Sequence, residues 1–155
     1  MSGQIFWSIK AFSELSVTEL YDIFRLRMEV FVVEQNCPYQ DADGKDQYAS
    51  HLMGRNVDEE LIAYARIFPC GITFDEVSIG RVITSGKARS TGAGKMLMEK
   101  AITLSRLIYG NQPVRIGAQS YLIKFYKSFG FEVVSEEYLE DNIPHVEMLK
   151  PAEVS

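Results

Sequence analysis

Apolar residues recur along the chain at two different spacings, and the changes of spacing mark the elements. Ile5, Trp7 and Ile9 alternate, which predicts a first strand from Ile5 to Ala11. Further on, Leu20, Ile23, Phe24, Met28 and Phe31 follow a helical interval, which predicts a helix from about Val17 to about Val32 with these residues as its buried stripe. Arg25, Arg27 and Glu29 fall mostly off that stripe. Ser16 and Glu19 have the spacing of a capping box, and Leu15 and Leu20 are placed for a hydrophobic staple. The polar stretch that follows, interrupted by Pro38 and Gly44, reads as a loop. His51–Val57 and Glu60–Phe68 read as strands around a tight turn at Asp58-Glu59, and the second is apolar nearly throughout, as a central strand is. A third strand, from about Glu76 to Thr84, extends an antiparallel meander.

After a short loop with two glycines, Met96, Leu97, Ala101, Ile102, Leu104, Leu107 and Ile108 predict a helix from about Gly92 to Tyr109. Gly110-Asn111-Gln112-Pro113 breaks it, and Val114–Gln119 is a short strand. The strand–helix–strand unit from Val77 to Gln119 implies parallel strands with a right-handed crossover. A further helix, Ser120–Ser128, ends before Gly130. Phe131–Tyr138 alternates as a strand, Leu139–Pro144 is a turn, and His145–Lys150 is the closing strand. The pattern is that of a mixed α/β (α+β) fold, one domain over residues 1–150 with a loose tail at 151–155.

Composition narrows the function classes. The chain has 155 residues, 46% hydrophobic and 24% charged, which suits one soluble globular domain. It has no apolar run of about 18 residues, so no membrane span is expected. Met1-Ser2-Gly3-Gln4 lacks the basic-then-apolar pattern of a secretory signal, and two free thiols, Cys37 and Cys70, fit a reducing cytoplasm. Neither thiol has metal-ligand spacing to the other or to His51 and His145, so no metal site is expected. A net charge of −5 argues against nucleic acid as a partner and suits a cationic substrate such as an amine. Glu34, Asp41 and Asp43 are candidates to hold an ammonium group, although Asp and Gly are equally what any loop requires. A homodimer is left open.

The candidate chemistry centres on Arg89-Ser90-Thr91-Gly92-Ala93-Gly94-Lys95. It joins a strand to a helix, its glycines let a ligand approach the main chain, and the first helical turn offers free N–H groups to an anion such as phosphate. Lys87, Arg89 and Lys95 add three cations. A P-loop would need Ser or Thr where Met96 stands, and a dinucleotide fingerprint would need a small residue where Leu97 stands. A turn shaped by its glycines, with no ligand, is the plain alternative.

Arg89-Ser90-Thr91-Gly92-Ala93-Gly94 matches the pyrophosphate loop of the Gcn5-related N-acetyltransferase (GNAT) family, Gln/Arg-x-x-Gly-x-Gly/Ala. The segment Gln119–Phe131 resembles that family's second coenzyme A motif, with Tyr126, Gly130 and Phe131 in register. Gln119 stands where Asn is commoner, and Ile123 where Ala is commoner. Arg27–Asp41 and Asn142–Met148 look like the ElaA-type branch of the family, so the resemblance covers essentially the whole chain.

The resemblance implies a mostly antiparallel sheet with a central splayed parallel pair, the pantetheine arm of acetyl-CoA lying in the splay. Main-chain groups of Val82, Ile83 and Thr84 would pair with that arm, Gln119 would border it, and Ser90 to Lys95 would hold the pyrophosphate beside Arg89. Acetyl-CoA is then the acyl-donor substrate, and a small-molecule or peptide amine the acceptor. Tyr126 matches the family's proton donor to the coenzyme A sulfur. The base is open among Glu34, His51, His145 and Glu147. A module that binds acyl-CoA without catalysis is the alternative function.

Overall fold

The backbone N–H of Glu19 donates to Ser16 Oγ at 3.0 Å, and Glu19 accepts the Ser16 N–H at 2.8 Å. This reciprocal cap starts helix α1, Val17–Arg27, in a computed structural model that describes residues 3–154. The helix then widens into a π-helical segment, Met28–Glu34. Its buried side is Ile23, Leu26, Arg27 and Val30, while Met28 is 53% exposed. The expected stripe is therefore corrected at Met28 and at Arg27. The guanidinium of Arg27 is fully buried because two carboxylates reach it from the following loop, Asp41 at 2.7 Å and Asp46 at 2.6 Å.

The strands are β1 Phe6–Ala11, β2 Ser50–Arg55, β3 Leu61–Phe68, β4 Val77–Thr84, β5 Val114–Gln119, β6 Glu132–Val133, β7 Tyr138–Glu140 and β8 Ile143–Lys150. They form one sheet in the order β1-β2-β3-β4-β5-β8-β6, with β7 also paired to β8. The first four make the expected antiparallel meander. Helix α2, Ala93–Tyr109, crosses from β4 to β5, and these two strands are parallel. The structure is thus the mixed α/β domain expected, with the central parallel pair.

Three expectations near the C-terminus are corrected. The single strand at 131–138 is two short ones, and the turn at 139–144 is a β7–β8 hairpin around Asp141-Asn142. Both turn residues have positive φ, 50° and 65°, which Asp and Asn tolerate and which a two-residue hairpin turn requires. The tail is tied rather than loose. Asn111 exchanges two hydrogen bonds with the Glu153 main chain, at 2.8 and 2.9 Å, and Arg106 pairs with the Glu153 carboxylate. Ser155 lies outside the described residues.

The sheet is covered on both faces. Leu97, Met98, Ala101 and Ile102 of α2 pack on Ala63, Ala65, Ile67, Ile79, Ile116, Ala118, Val146 and Met148. On the other face Ile23, Leu26 and Val30 pack on Met53, Tyr64 and Ile83. Helix α3, Ile123–Lys127, brings Tyr126 into the α2-side core.

A bulge opens the middle of the sheet. Tyr64 faces Ile83 and Arg66 faces Gly80, so one β3 residue opposes both Arg81 and Val82. Arg81 sits at φ 50°, outside the strand region. Such a bulge bends its strand. β4 pairs with β5 only at Val77–Val114 and Ser78–Arg115, and the two strands then part.

Candidate active site

Where β4 and β5 part, the β5-facing edge of β4 has no strand partner from Gly80 to Thr84. A cavity of about 550 Å³ fills the gap. Glu34, Val82, Ile83, Thr84, Arg89, Gly94, Gln119, Tyr126 and His145 all line it. Ser90, Thr91, Gly92, Ala93 and Lys95 form the adjoining loop and first helical turn without lining it.

The loop is built to leave main-chain donors free. Gly92 is the N-cap of α2 at φ 83°, and no side chain caps this end. No acidic residue lies in the first turn, so the positive end of the helix is uncompensated except by whatever binds there. A Cβ on Gly92 would meet nothing within 4 Å, so its backbone conformation, not crowding, is what calls for glycine. Thr91 Oγ1 donates to the Ala88 carbonyl and braces the loop from behind. Arg89 reaches back across the cavity, donating to the Thr84 carbonyl at 3.1 Å and pairing with Glu34 at 2.5 Å. One acceptor on the open β4 edge is therefore already occupied.

Tyr126 and His145 approach this gap from opposite faces. Tyr126 belongs to the core on the α2 side. His145 alternates with Val146, which joins that same core, so His145 faces the other way. Burial, with a smaller push from Tyr121, raises the Tyr126 phenol above its ordinary value and keeps it protonated.

His145 is 7% exposed and held on two sides. Its ring stacks on Tyr138, centroids 5.9 Å apart. Its Nδ1 lies 2.7 Å from the Ile143 carbonyl, which can only accept, so the proton is on Nδ1. Nε2 is then the ring atom turned toward Glu140, whose Oε2 lies 3.6 Å away. The Ile143 contact and the Tyr138 stack fix the ring so that Nε2 is the nitrogen left without a hydrogen bond.

The other base candidates lie in different settings. His51 is fully buried, with Tyr64 Oη at 2.6 Å from Nδ1 and the Asp46 carbonyl at 2.8 Å from Nε2. Both ring nitrogens are used, and burial lowers its pKa. Glu147 pairs with Arg115 at 2.9 Å and does not line the cavity. Glu34 lines the cavity but is bound to Arg89.

Asp41 and Asp43 do not stand ready for an ammonium group. Asp41 pairs with Arg27 and Arg81, and Asp43 with Arg66 at 2.5 Å. Burial alone would raise the Asp43 pKa, but the hydrogen bonds and charge of Arg66 outweigh it and hold the carboxyl well below the usual range. These pairs tie the loop to the β4 bulge. Two lining carboxylates escaped the sequence reading, Glu140 and Asp141. The signal for them was Asp141-Asn142 between alternating residues, a hairpin turn read as plain loop.

Comparison with known proteins settles the family. The family model described as an acetyltransferase (GNAT) domain matches residues 16–151. The chain belongs to the GNAT acetyltransferase family. Protein ElaA of Escherichia coli (strain K12) is 47% identical over 146 residues, covering 93% of this chain and 95% of that protein. The crystal structure of Escherichia coli ElaA superposes with a TM-score of 0.88 at 46% identity, covering 95% of this chain and 99% of that one. An acyl-CoA N-acyltransferase from Pseudomonas aeruginosa superposes with a TM-score of 0.90 at 42% identity, with the same coverage of 95% and 99%. The GNAT assignment thus rests on sequence and on fold alike. Among the described residues no group of three or more His, Cys, Asp or Glu is arranged to hold a metal ion, and no helix is long and apolar enough to cross a membrane.

Proposed function

We propose that the protein transfers an acetyl group from acetyl-CoA to a primary amine by direct attack in a ternary complex. The observation that carries this reading is the parting of β4 from β5 after Ser78, with the glycine loop, Tyr126 and His145 around one gap. In this reading the pantetheine arm adds itself to the open edge at Val82, Ile83 and Thr84, as an extra strand would. The pyrophosphate rests on the N–H groups between Ser90 and Lys95, with Lys95 supplying charge and Arg89, paired to Glu34, at the start of the loop. Gln119, opposite His145 in the β5–β8 register, borders the thioester.

The acid and the base have separate places. Tyr126, held protonated by burial, donates its proton to the departing sulfur. His145 Nε2 takes the proton of the attacking amine, and Nδ1, bonded to Ile143, keeps the ring oriented. A main-chain N–H on the open edge near Ile83 or Thr84 stabilises the oxyanion. Glu34 serves this scheme through Arg89 rather than as the base.

Release of free thiol from acetyl-CoA, measured across a panel of primary amines, tests the reaction. Amine-dependent release is expected. Acetyl-CoA binding without release from any amine would instead favour a non-catalytic acyl-CoA module.

A further inference from the structure

The acceptor end of the cavity has an uneven charge. Arg81 is committed to Asp41 at 2.9 Å, and Arg89 to Glu34. Glu140 and Asp141 also line the cavity, and among the described residues neither is paired to a Lys or an Arg. Both stand at the tip of the β7–β8 hairpin, which Cys37 pins by donating its thiol to the Asp141 carbonyl at 3.4 Å. The hairpin register sets Tyr138 opposite His145 and Glu140 opposite Ile143. Residues two apart share a strand face, so Tyr138, Glu140, Ile143 and His145 lie on one face. Glu140 thereby brings Oε2 to 3.6 Å from His145 Nε2. The exposed Glu140 carboxylate and the buried His145 Nε2 thus converge at one place on the cavity wall.

We infer that Glu140 is the substrate-binding residue for the acceptor, which the protein takes as an alkylammonium cation between Glu140 and His145 Nε2. The inference rests on the acetyltransferase reading above. A neutral amine gains only a hydrogen bond from the carboxylate, whereas an ammonium gains the charge attraction as well. An ammonium group has three N–H donors, one for Glu140 and one for the Nε2 lone pair. The second contact is the one along which the proton leaves.

The steps balance. The ammonium gives one proton to His145 Nε2, and the freed lone pair attacks the thioester carbon, forming the C–N bond. The C–S bond then breaks as Tyr126 protonates the sulfur. The amide nitrogen returns a proton to the Tyr126 oxygen, and the imidazolium releases its proton to water. The products are the amide, the free thiol and one proton. The substrate class is therefore aliphatic primary amines, cationic near neutral pH, in preference to arylamines, which are neutral there.

The test compares n-butylamine and putrescine with aniline, all with acetyl-CoA, in the parent protein, Glu140→Gln and Glu140→Lys. The parent is expected to favour the two aliphatic amines. Glu140→Gln should raise KM for n-butylamine about fivefold, the size of effect of losing a partly solvated ion pair, and leave aniline within about twofold. Glu140→Lys should raise KM for the aliphatic amines further, since it replaces attraction by repulsion. Calorimetric binding of acetyl-CoA should be equal in all three proteins, which guards against misfolding. A parent that prefers aniline, or a Glu140→Gln variant with unchanged KM for n-butylamine, would overturn the inference and leave the acetyltransferase reading standing. No turnover of any amine by the parent would remove that reading and the inference with it.

Discussion

His145 Nδ1 donates to the carbonyl of Ile143, two residues before it on the same strand, and so presents Nε2 to the cavity. The bond uses Nδ1 as the donor, so that Nε2 is the nitrogen left to exchange a proton with a bound substrate. His145→Gln keeps a side chain of similar reach without a comparable base. It should lower kcat by about 10²-fold or more while leaving acetyl-CoA affinity unchanged. Steady-state kinetics with an aliphatic amine would read this, and a kcat within about twofold of the parent would remove His145 from the mechanism.

Tyr126→Phe should likewise cut kcat by about 10²-fold or more at unchanged acetyl-CoA affinity. Burial raises the phenol above its usual value of about 10, so it remains a proton donor across the neutral and mildly alkaline range. The parent should therefore show no alkaline loss of kcat from this group below about pH 10. A kcat within about twofold of the parent in Tyr126→Phe would contradict the assignment, and an alkaline limb at lower pH that disappears in this variant would contradict the burial argument.

Arg27 tests the packing that positions the site. It is buried between Asp41 and Asp46, yet each carboxylate has a second arginine, Arg81 and Arg66 respectively. Removing one partner of a buried pair costs about 3–5 kcal/mol, and these second partners place Arg27→Ala at the lower end, about 3 kcal/mol. Urea unfolding measures it, and a loss under about 1 kcal/mol would mean the network contributes little.

Stability should fall on the acid side in two stages. Burial lowers the pKa of His51, so the unfolded chain binds this proton more readily than the folded one. Its contribution is present above the unfolded value of about 6.5 and is lost as pH falls below it. Asp43 is also lowered, by Arg66 against the opposing effect of burial, so its contribution is present above about 4 and lost below. Melting temperature against pH should show both stages, and His51→Gln should flatten the first. A parent curve without a drop between neutrality and about pH 5 would contradict the burial argument for His51.

Local rules made most of the frame legible. The cap at Ser16 and Glu19, the strand Val114–Gln119 and the glycine start of α2 each depend on neighbours within a few residues. So does the parallel crossover, because the alternation of Val77–Thr84 gives way to helical spacing and then returns. What escaped depends on distant partners. Arg27 looks solvent-facing until Asp41 and Asp46, 14 and 19 residues on, are folded against it. Asp41 and Asp43 look free for a ligand until Arg66 and Arg81 arrive from two strands. Glu140 looks like turn filler until the β7–β8 register sets it beside His145. Periodicity reports burial of apolar groups and says nothing of which charges will meet.

The claim on which the rest depends is that the glycine loop and the parted strands hold an acyl-CoA. Calorimetric titration with acetyl-CoA, in the parent and in Gly92→Glu, tests it most directly. Gly92 lies at φ 83°, so Gly92→Asn, which tolerates that conformation, serves as the control for backbone strain. The account predicts micromolar binding in the parent, retained binding in Gly92→Asn, and none in Gly92→Glu, whose carboxylate would face the pyrophosphate. No binding in the parent, or undiminished affinity in Gly92→Glu, would contradict it.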